Sequence, residues 1–365
     1  MERKADGAVI VCGASALQGI RRARRVGDLW SWTPLDAREQ DRVLATALAG
    51  RDAVDFDLLS LHGFWGGCEL EELELLVGSS AARRRAARTR CRCCSGDLPA
   101  GSICYVAPGL YATSPAYTAM RYSLDHDLAA TTMLLFELMG TYGLHEDATM
   151  SIAWGGYWPQ ERRPREAGAE MAEQAHYRCV PAFEPAELRR MAAAASSSSL
   201  RGFERAARIA LPGSASSMES VMAAMMAAPH RVGGFALSSL PGGVLLNHRI
   251  EFERDAVLMS SGMPYAIADL YVPAALTELE YNGIGHEAEA ARAHDGQRNN
   301  GMRAMGLKVV VVNRDQMRDI DALEVIARAI FRDAGVRYRD TAPGRRVRQA
   351  AWLNGLRAGT GLRPA

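Results

Sequence analysis

Lysine is almost missing from this chain. Lys4 and Lys308 are the only two among 43 basic residues in a sequence of 365, so a reaction that calls for an ammonium group has two candidates. The charges also nearly cancel, at a formal net +1, which leaves no global basic signature for nucleic acid. No stretch has the uninterrupted apolar length of a membrane span, and Met1–Asp6 lacks the hydrophobic core of a signal peptide. A cytoplasmic protein without a membrane partner is therefore expected. Cysteine occurs seven times, an odd and unevenly spaced set that argues for reduced thiols rather than a disulfide framework. Internal repeats are not evident.

What is there fits a soluble α/β protein. Hydrophobic residues make up 48% and charged residues 23%, and the length suits two or three domains. Positive charge gathers in two arginine clusters. Arg83, Arg84, Arg85, Arg88, Arg90 and Arg92 form the first, and Arg337, Arg339, Arg345, Arg346 and Arg348 the second. Both are expected to contact DNA phosphates, although arginine in place of lysine also follows from genome base composition.

The densest chemical signal lies between Ala268 and Val312. Tyr265–Pro273 and Leu276–Tyr281 are short, rich in aliphatic and aromatic residues, and read as adjacent strands. Period-two alternation puts Ile267, Asp269 and Tyr271 on one face, and Glu278 and Glu280 together on a face of the next strand. Asp269 and Glu280 are thus expected to converge near the sheet centre, where a carboxylate is costly without a cation. Two hard oxygen ligands with open positions for water and phosphate suit Mg²⁺ or Mn²⁺.

The flanking elements keep a consistent order. Met218–Met226 is helical in pattern, with Ser216 and Ser217 as cap candidates. Gly243–Phe252 reads as a first strand, His286–Met305 as a helix stopped by Gly306, and Leu307–Val312 as a buried strand. The predicted series is helix, three strands, helix, strand.

That series, with Asp269 in Ile-Ala-Asp-Leu-Tyr, Glu280 in Glu-Leu-Glu-Tyr-Asn-Gly, His286, and Asp295-Gly-Gln-Arg298, resembles the restriction-endonuclease-like PD-(D/E)XK superfamily. The likeness is to its very-short-patch-repair branch and covers about Ser214 to Arg339. Glu219 matches a further acidic position found in many members. A looser match, over Val77–Arg85, Leu98–Ser102 and Gly109–Pro115, is similar to bacterial proteins that join an AbiEi-type antitoxin-like N-terminal region to such a nuclease-like domain. The resemblance implies metal-dependent DNA cleavage in a defence or mobile-element setting, with DNA and a toxin or other protein as partners; homodimerisation stays open.

One position departs from the superfamily. A lysine usually stands two residues after the second acid, relatives of this branch often carry aspartate, and here the residue is Asn282. A neutral amide orients the attacking water and offsets charge on phosphorus only weakly. The expected roles are Asp269 and Glu280 as metal ligands with the Tyr281 carbonyl as a third, and Glu219 ordering a second metal or a water. Asn282 would bond the nucleophile, and His286 and Arg298 would contact phosphate oxygens. A catalytically weak or inactive nuclease scaffold acting as a DNA-binding regulator or antitoxin is the alternative. Each residue also has a plainer role. Asp269 and Glu280 could be surface acids, Glu219 a first-turn acid facing the helix dipole, His286 a helix cap, and Asp295 with Arg298 a surface ion pair.

Two other motifs say less. Cys91-Arg-Cys-Cys94 has a C-x₂-C spacing but lacks a second knuckle, so zinc is not favoured. Val9–Gly19 has glycines after a strand-like run without the G-x-G-x-x-G spacing, and a helix entry with Ser15 near its cap accounts for the same letters. Leu35–Ala49 and Leu128–Met139 carry helical patterns, and Ser196–Ser199 reads as a joint. The expected organisation is an α+β antitoxin-like region over 1–120, a helical middle and linker over 121–212, a nuclease domain over 213–340, and a mobile arginine-rich tail over 341–365.

Overall fold

The computed structural model describes residues 7–49, 54–66, 72–83, 88–94, 98–144, 176–194, 200–282, 289–341 and 343–360. The chain is mixed α/β and divides into two compact units, Met1–Arg208 and Ile209–Ala365. No helix of the described residues is long and apolar enough to cross a membrane.

The first unit opens with β1 (Val9–Val11), α1 (Gly13–Val26), β2 (Thr33–Pro34), α2 (Ala37–Ala45) and α3 (Phe56–Leu61). It continues through β3 (Leu73–Val77), β4 (Thr89–Cys93), the hairpin β5 (Ile103–Ala107) and β6 (Leu110–Thr113), then α4 (Pro115–Tyr122) and α5 (Leu128–Met139). A small pair, β7 (Tyr142–Gly143) and β8 (His176–Tyr177), precedes α6 (Pro185–Ala194) and α7 (Arg201–Ile209). Six strands form one mixed sheet in the order β2-β5-β6-β1-β3-β4, with β1 parallel to β6 and β3 parallel to β4. Ile10, Val11, Leu73, Leu75 and Val77 are wholly buried at its centre, the burial that unbroken apolar strands require.

The helix entry expected with Ser15 near its cap is present, α1 starting two residues before Ser15. Ser15 does not cap the helix; its hydroxyl accepts from the Glu74 amide at 3.1 Å, while Glu74 Oε2 takes the Ala14 amide at 2.8 Å. A carboxylate from a neighbouring strand thus satisfies the helix end and its partial positive charge. Gly13 has φ +58°, and a Cβ there would lie 1.5 Å from that carboxylate, so both backbone and space call for glycine.

The second unit contains α8 (Ser217–Ala227), β9 (Leu245–Glu251), α9 (Arg254–Met259), β10 (Tyr265–Val272), β11 (Thr277–Asn282), α10 (Glu289–Ala304), β12 (Lys308–Asn313), α11 (Ile320–Asp333) and α12 (Arg345–Gly359). Its four-stranded sheet runs β12-β11-β10-β9, antiparallel except for the β11 and β12 pair that α10 connects. The alternation of β10 buries Ala266, Ala268, Leu270 and Val272, and Ala266 and Ala268 pack with Ile250, Phe252, Ala256, Met302 and Leu307.

Three features differ from the sequence reading. A short helix, α9, interrupts the three strands. The run at Lys308–Asn313 is an edge strand with Lys308 and Val311 exposed, so an apolar stretch read as buried on both sides has one open side. The segment after Asp340, expected to be mobile, holds α12: Trp352, Leu353 and Leu356 are buried, and Trp352 Nε1 donates to the Ala224 carbonyl at 3.3 Å. Its apolar positions were masked by arginines. Gly233, at φ +107°, lets this helix approach, since a Cβ there would sit 2.4 Å from the Arg348 carbonyl.

Candidate functional site

The candidate site forms where β10 and β11 part. Their Cα ladder covers Val272 with Thr277, Tyr271 with Glu278 and Leu270 with Leu279, then stops. At the next position the Asp269 side chain spans the gap, Oδ2 accepting the Tyr281 amide at 3.0 Å. Antiparallel register sets Asp269 and Glu280 on the same face of the sheet. On the other flank β9 contributes Asn247, held at φ +44°, whose amide donates to Glu219 Oε2 at 2.9 Å.

Glu219 reaches this region from the first turn of α8. Ser216 caps the helix by accepting the Glu219 amide at 3.1 Å, and Glu219 Oε2 also takes the Ala215 amide at 3.0 Å. The plain first-turn role and a place beside Asp269 therefore coexist in one side chain. Burial, followed by the negative charge of Glu219, pushes the Asp269 carboxyl up to about 7; Glu280 and Glu278 add to the effect and the Tyr281 amide opposes it.

Arg298, expected to contact phosphate, is turned toward the acids of its own unit. It is buried, donating from Nη2 to Glu278 and to the Ile267 carbonyl at 2.7 Å, and from Nη1 to Glu280 Oε2 at 3.2 Å. Glu278 is wholly buried, and among the described residues its Oε2 has no hydrogen-bond partner. Burial raises its carboxyl despite Arg298. The sequence reading placed Glu278 on the correct face yet left it out of the site, and it passed over Asn247. Two-residue spacing from Glu280 was the signal for the first; nothing in the sequence marked the second.

Glu278 and Glu280 thus hold the Arg298 guanidinium, Asp269 acts on it through space, and Glu219 acts on Asp269. Among the described residues, Asp269 and Glu280 each keep one oxygen without a hydrogen bond. This surplus of hard, negative oxygen fits a divalent cation such as Mg²⁺ or Mn²⁺. No three His, Cys, Asp or Glu side chains among the described residues form a metal-holding group, so the two carboxylates supply only part of a shell. A magnesium ion takes the rest from carbonyl, water or phosphate.

The remaining predicted residues scatter. Asn282 ends β11 and is exposed, in register with Asn313. Lys308 pairs with Asp333 at 2.9 Å, three positions along the ladder from Glu280. His286, Arg84 and Arg85 lie outside the described residues, as does the side chain of Asp295. Arg83 is exposed, with Nη2 donating to the Cys91 carbonyl at 3.2 Å. Arg345 and Arg346 are tied to acids: Arg345 to Glu324 at 3.0 Å, and Arg346 to Glu324 at 2.7 Å and to Asp321. No family model, curated protein or solved structure matches this chain.

Proposed function

We propose that the unit Ile209–Ala365 is a Mg²⁺- or Mn²⁺-dependent DNA endonuclease that hydrolyses phosphodiester bonds. The observation that carries this reading is the placing of Asp269 and Glu280 on one face at the parting of two strands, beside an arginine that Glu278 already engages. DNA as the substrate, a toxin or other protein partner, and a defence or mobile-element setting rest on the resemblance to PD-(D/E)XK and AbiEi-type proteins. A bound divalent ion would lower the pKa of a water and offset charge on the phosphoryl group.

The chain's own residues would hold that ion and fix its position. Asp269 and Glu280 offer their unpaired oxygens, with the Tyr281 carbonyl as a further candidate. The Tyr281 amide locks the Asp269 rotamer, and Arg298 locks Glu280 while balancing Glu278. Glu219, fixed by Ala215 and Asn247, sets its side chain beside Asp269 and raises the Asp269 carboxyl. Exposed Asn282 can donate to water or phosphate.

A second reading, a nuclease scaffold that binds DNA as a regulator without turnover, is favoured by the cations. Arg298 is consumed by two carboxylates, Lys308 by Asp333, and Asn282 is neutral. Incubation of the full chain with supercoiled plasmid and Mn²⁺ or Mg²⁺ separates the two. The nuclease reading expects nicking that chelation, Asp269→Asn or Glu280→Gln abolishes. Binding that survives chelation, with intact DNA and no difference between parent and Asp269→Asn, supports the regulator and overturns the nuclease.

A further inference from the structure

The first unit holds a cavity of about 300 Å³, at the lower end of the range that small-ligand sites occupy. Leu17 of α1, Leu76 of β3 and Tyr117 of α4 give it an apolar lining, and the stacked rings of Tyr122 and His126, 3.5 Å apart, also border it. Its charged groups fall into two sets. At the α1 end, Glu74 accepts the Ala14 amide at 2.8 Å and Arg92 Nη2 at 2.9 Å, and Arg92 reaches Asp125 at 3.4 Å. The helix terminus and Arg92 are therefore already satisfied.

Arg90 and Arg121 are not. Both line the same cavity, both are exposed, and neither has an ion pair or side-chain hydrogen bond among the described residues. Arg90 lies on β4, the edge strand of the sheet, and Arg121 on the last turn of α4. Two unengaged guanidiniums beside an apolar hollow are complementary to a molecule that is apolar at one end and acidic at the other.

We infer that this cavity binds a small organic anion, with an aromatic or aliphatic body against Leu17, Leu76 and Tyr117 and a carboxylate, sulfonate or phosphate monoester between Arg90 and Arg121. This site is separate from the carboxylate cluster and does not rest on nuclease activity. A nucleic-acid strand is too large for the hollow and would touch only its mouth.

The test uses the full chain and the fluorescent sulfonate 8-anilinonaphthalene-1-sulfonate. Saturable binding of one probe per chain is expected. Arg90→Glu with Arg121→Glu should weaken it by about tenfold or more through loss of two charge-assisted contacts. Cys94→Phe fills the cavity from a half-exposed position on the face of Arg90 and Arg92 and should remove binding while leaving both arginines in place. Bound probe should also slow alkylation of Cys94 by iodoacetamide in the parent chain. Should the glutamate variant lose its circular-dichroism spectrum, the Gln pair takes its place. Absence of saturable binding, or binding unchanged in either folded variant, overturns the assignment. So does an oligonucleotide that binds through the arginines and ignores Cys94→Phe, which would make this surface a nucleic-acid contact.

Discussion

The amide of Tyr281 donates to Asp269 Oδ2 at 3.0 Å, where the ladder between β10 and β11 has just ended. A side chain thereby does the work of a strand carbonyl. The bond fixes Asp269 on the face shared with Glu280, and it leaves the other carboxylate oxygen for a ligand. Asp269→Ala should therefore lose local order as well as any metal affinity, whereas Asp269→Asn keeps the shape and loses the charge. Calorimetric titration with Mn²⁺ checks this: measurable binding to the parent and none to Asp269→Asn is the expected pair of results.

Arg298 braces the site by donating to Glu278, Glu280 and the Ile267 carbonyl. Arg298→Ala strands the buried Glu278 without its partner, and removal of one member of a buried pair costs about 3–5 kcal/mol. Arg298→Met combined with Glu278→Leu should recover most of that loss, because neither charge then remains. Hydrogen-exchange protection of β10 and β11 measures both. If Arg298→Ala left protection unchanged, the brace would be refuted.

Acidity should stabilise the second unit when divalent ions are chelated. The Asp269 carboxyl lies at about 7 in the folded chain against 3.8 for the free group. Between those values the folded state holds a proton that the unfolded state has released, so folding is favoured at the acid end and the advantage is lost as pH rises towards 7. Asp269→Asn should flatten this slope. Denaturant midpoints at several pH values between 4 and 8 give the comparison, and a parent slope of the opposite sign would contradict it.

Glu219→Gln should lower the Asp269 midpoint, since Glu219 is the largest charge contribution to its elevation. The carboxamide keeps an oxygen for the Ala215 and Asn247 donors, so structure is retained. Carbon-detected NMR titration of Asp269 reads the shift. An unchanged midpoint would show that burial alone sets it.

Trp352→Ala should destabilise the second unit by about 3–5 kcal/mol, the usual cost of emptying a buried aromatic site. It also frees the Ala224 carbonyl that the indole engages. Limited proteolysis after Asp340 should become fast in the variant and stay slow in the parent.

Short-range pattern was readable in the letters alone. Alternation in Tyr265–Val272 announced a half-buried strand with Asp269 on the face of Ile267 and Tyr271, and Ser216 announced the start of a helix. These depend on neighbours two to four residues apart, where periodicity and capping act. The organic-anion cavity and the Arg298 brace had no such signature, because their members come from elements far apart in sequence. The mobility expected after Asp340 failed for a related reason: arginines dominate that stretch, and only the packed face of α12 shows why its buried Trp352, Leu353 and Leu356 matter.

What the sequence by itself determined was which residues could share a face, since backbone geometry fixes that within each strand. What only the tertiary structure decided was which of those residues are paired and which are left over. Among the described residues, Arg298 and Arg345 are committed to acids while Arg90 and Arg121 are not. A charge is neutralised by whatever approaches it through space, and sequence spacing carries no information about that approach once the partners lie on different elements.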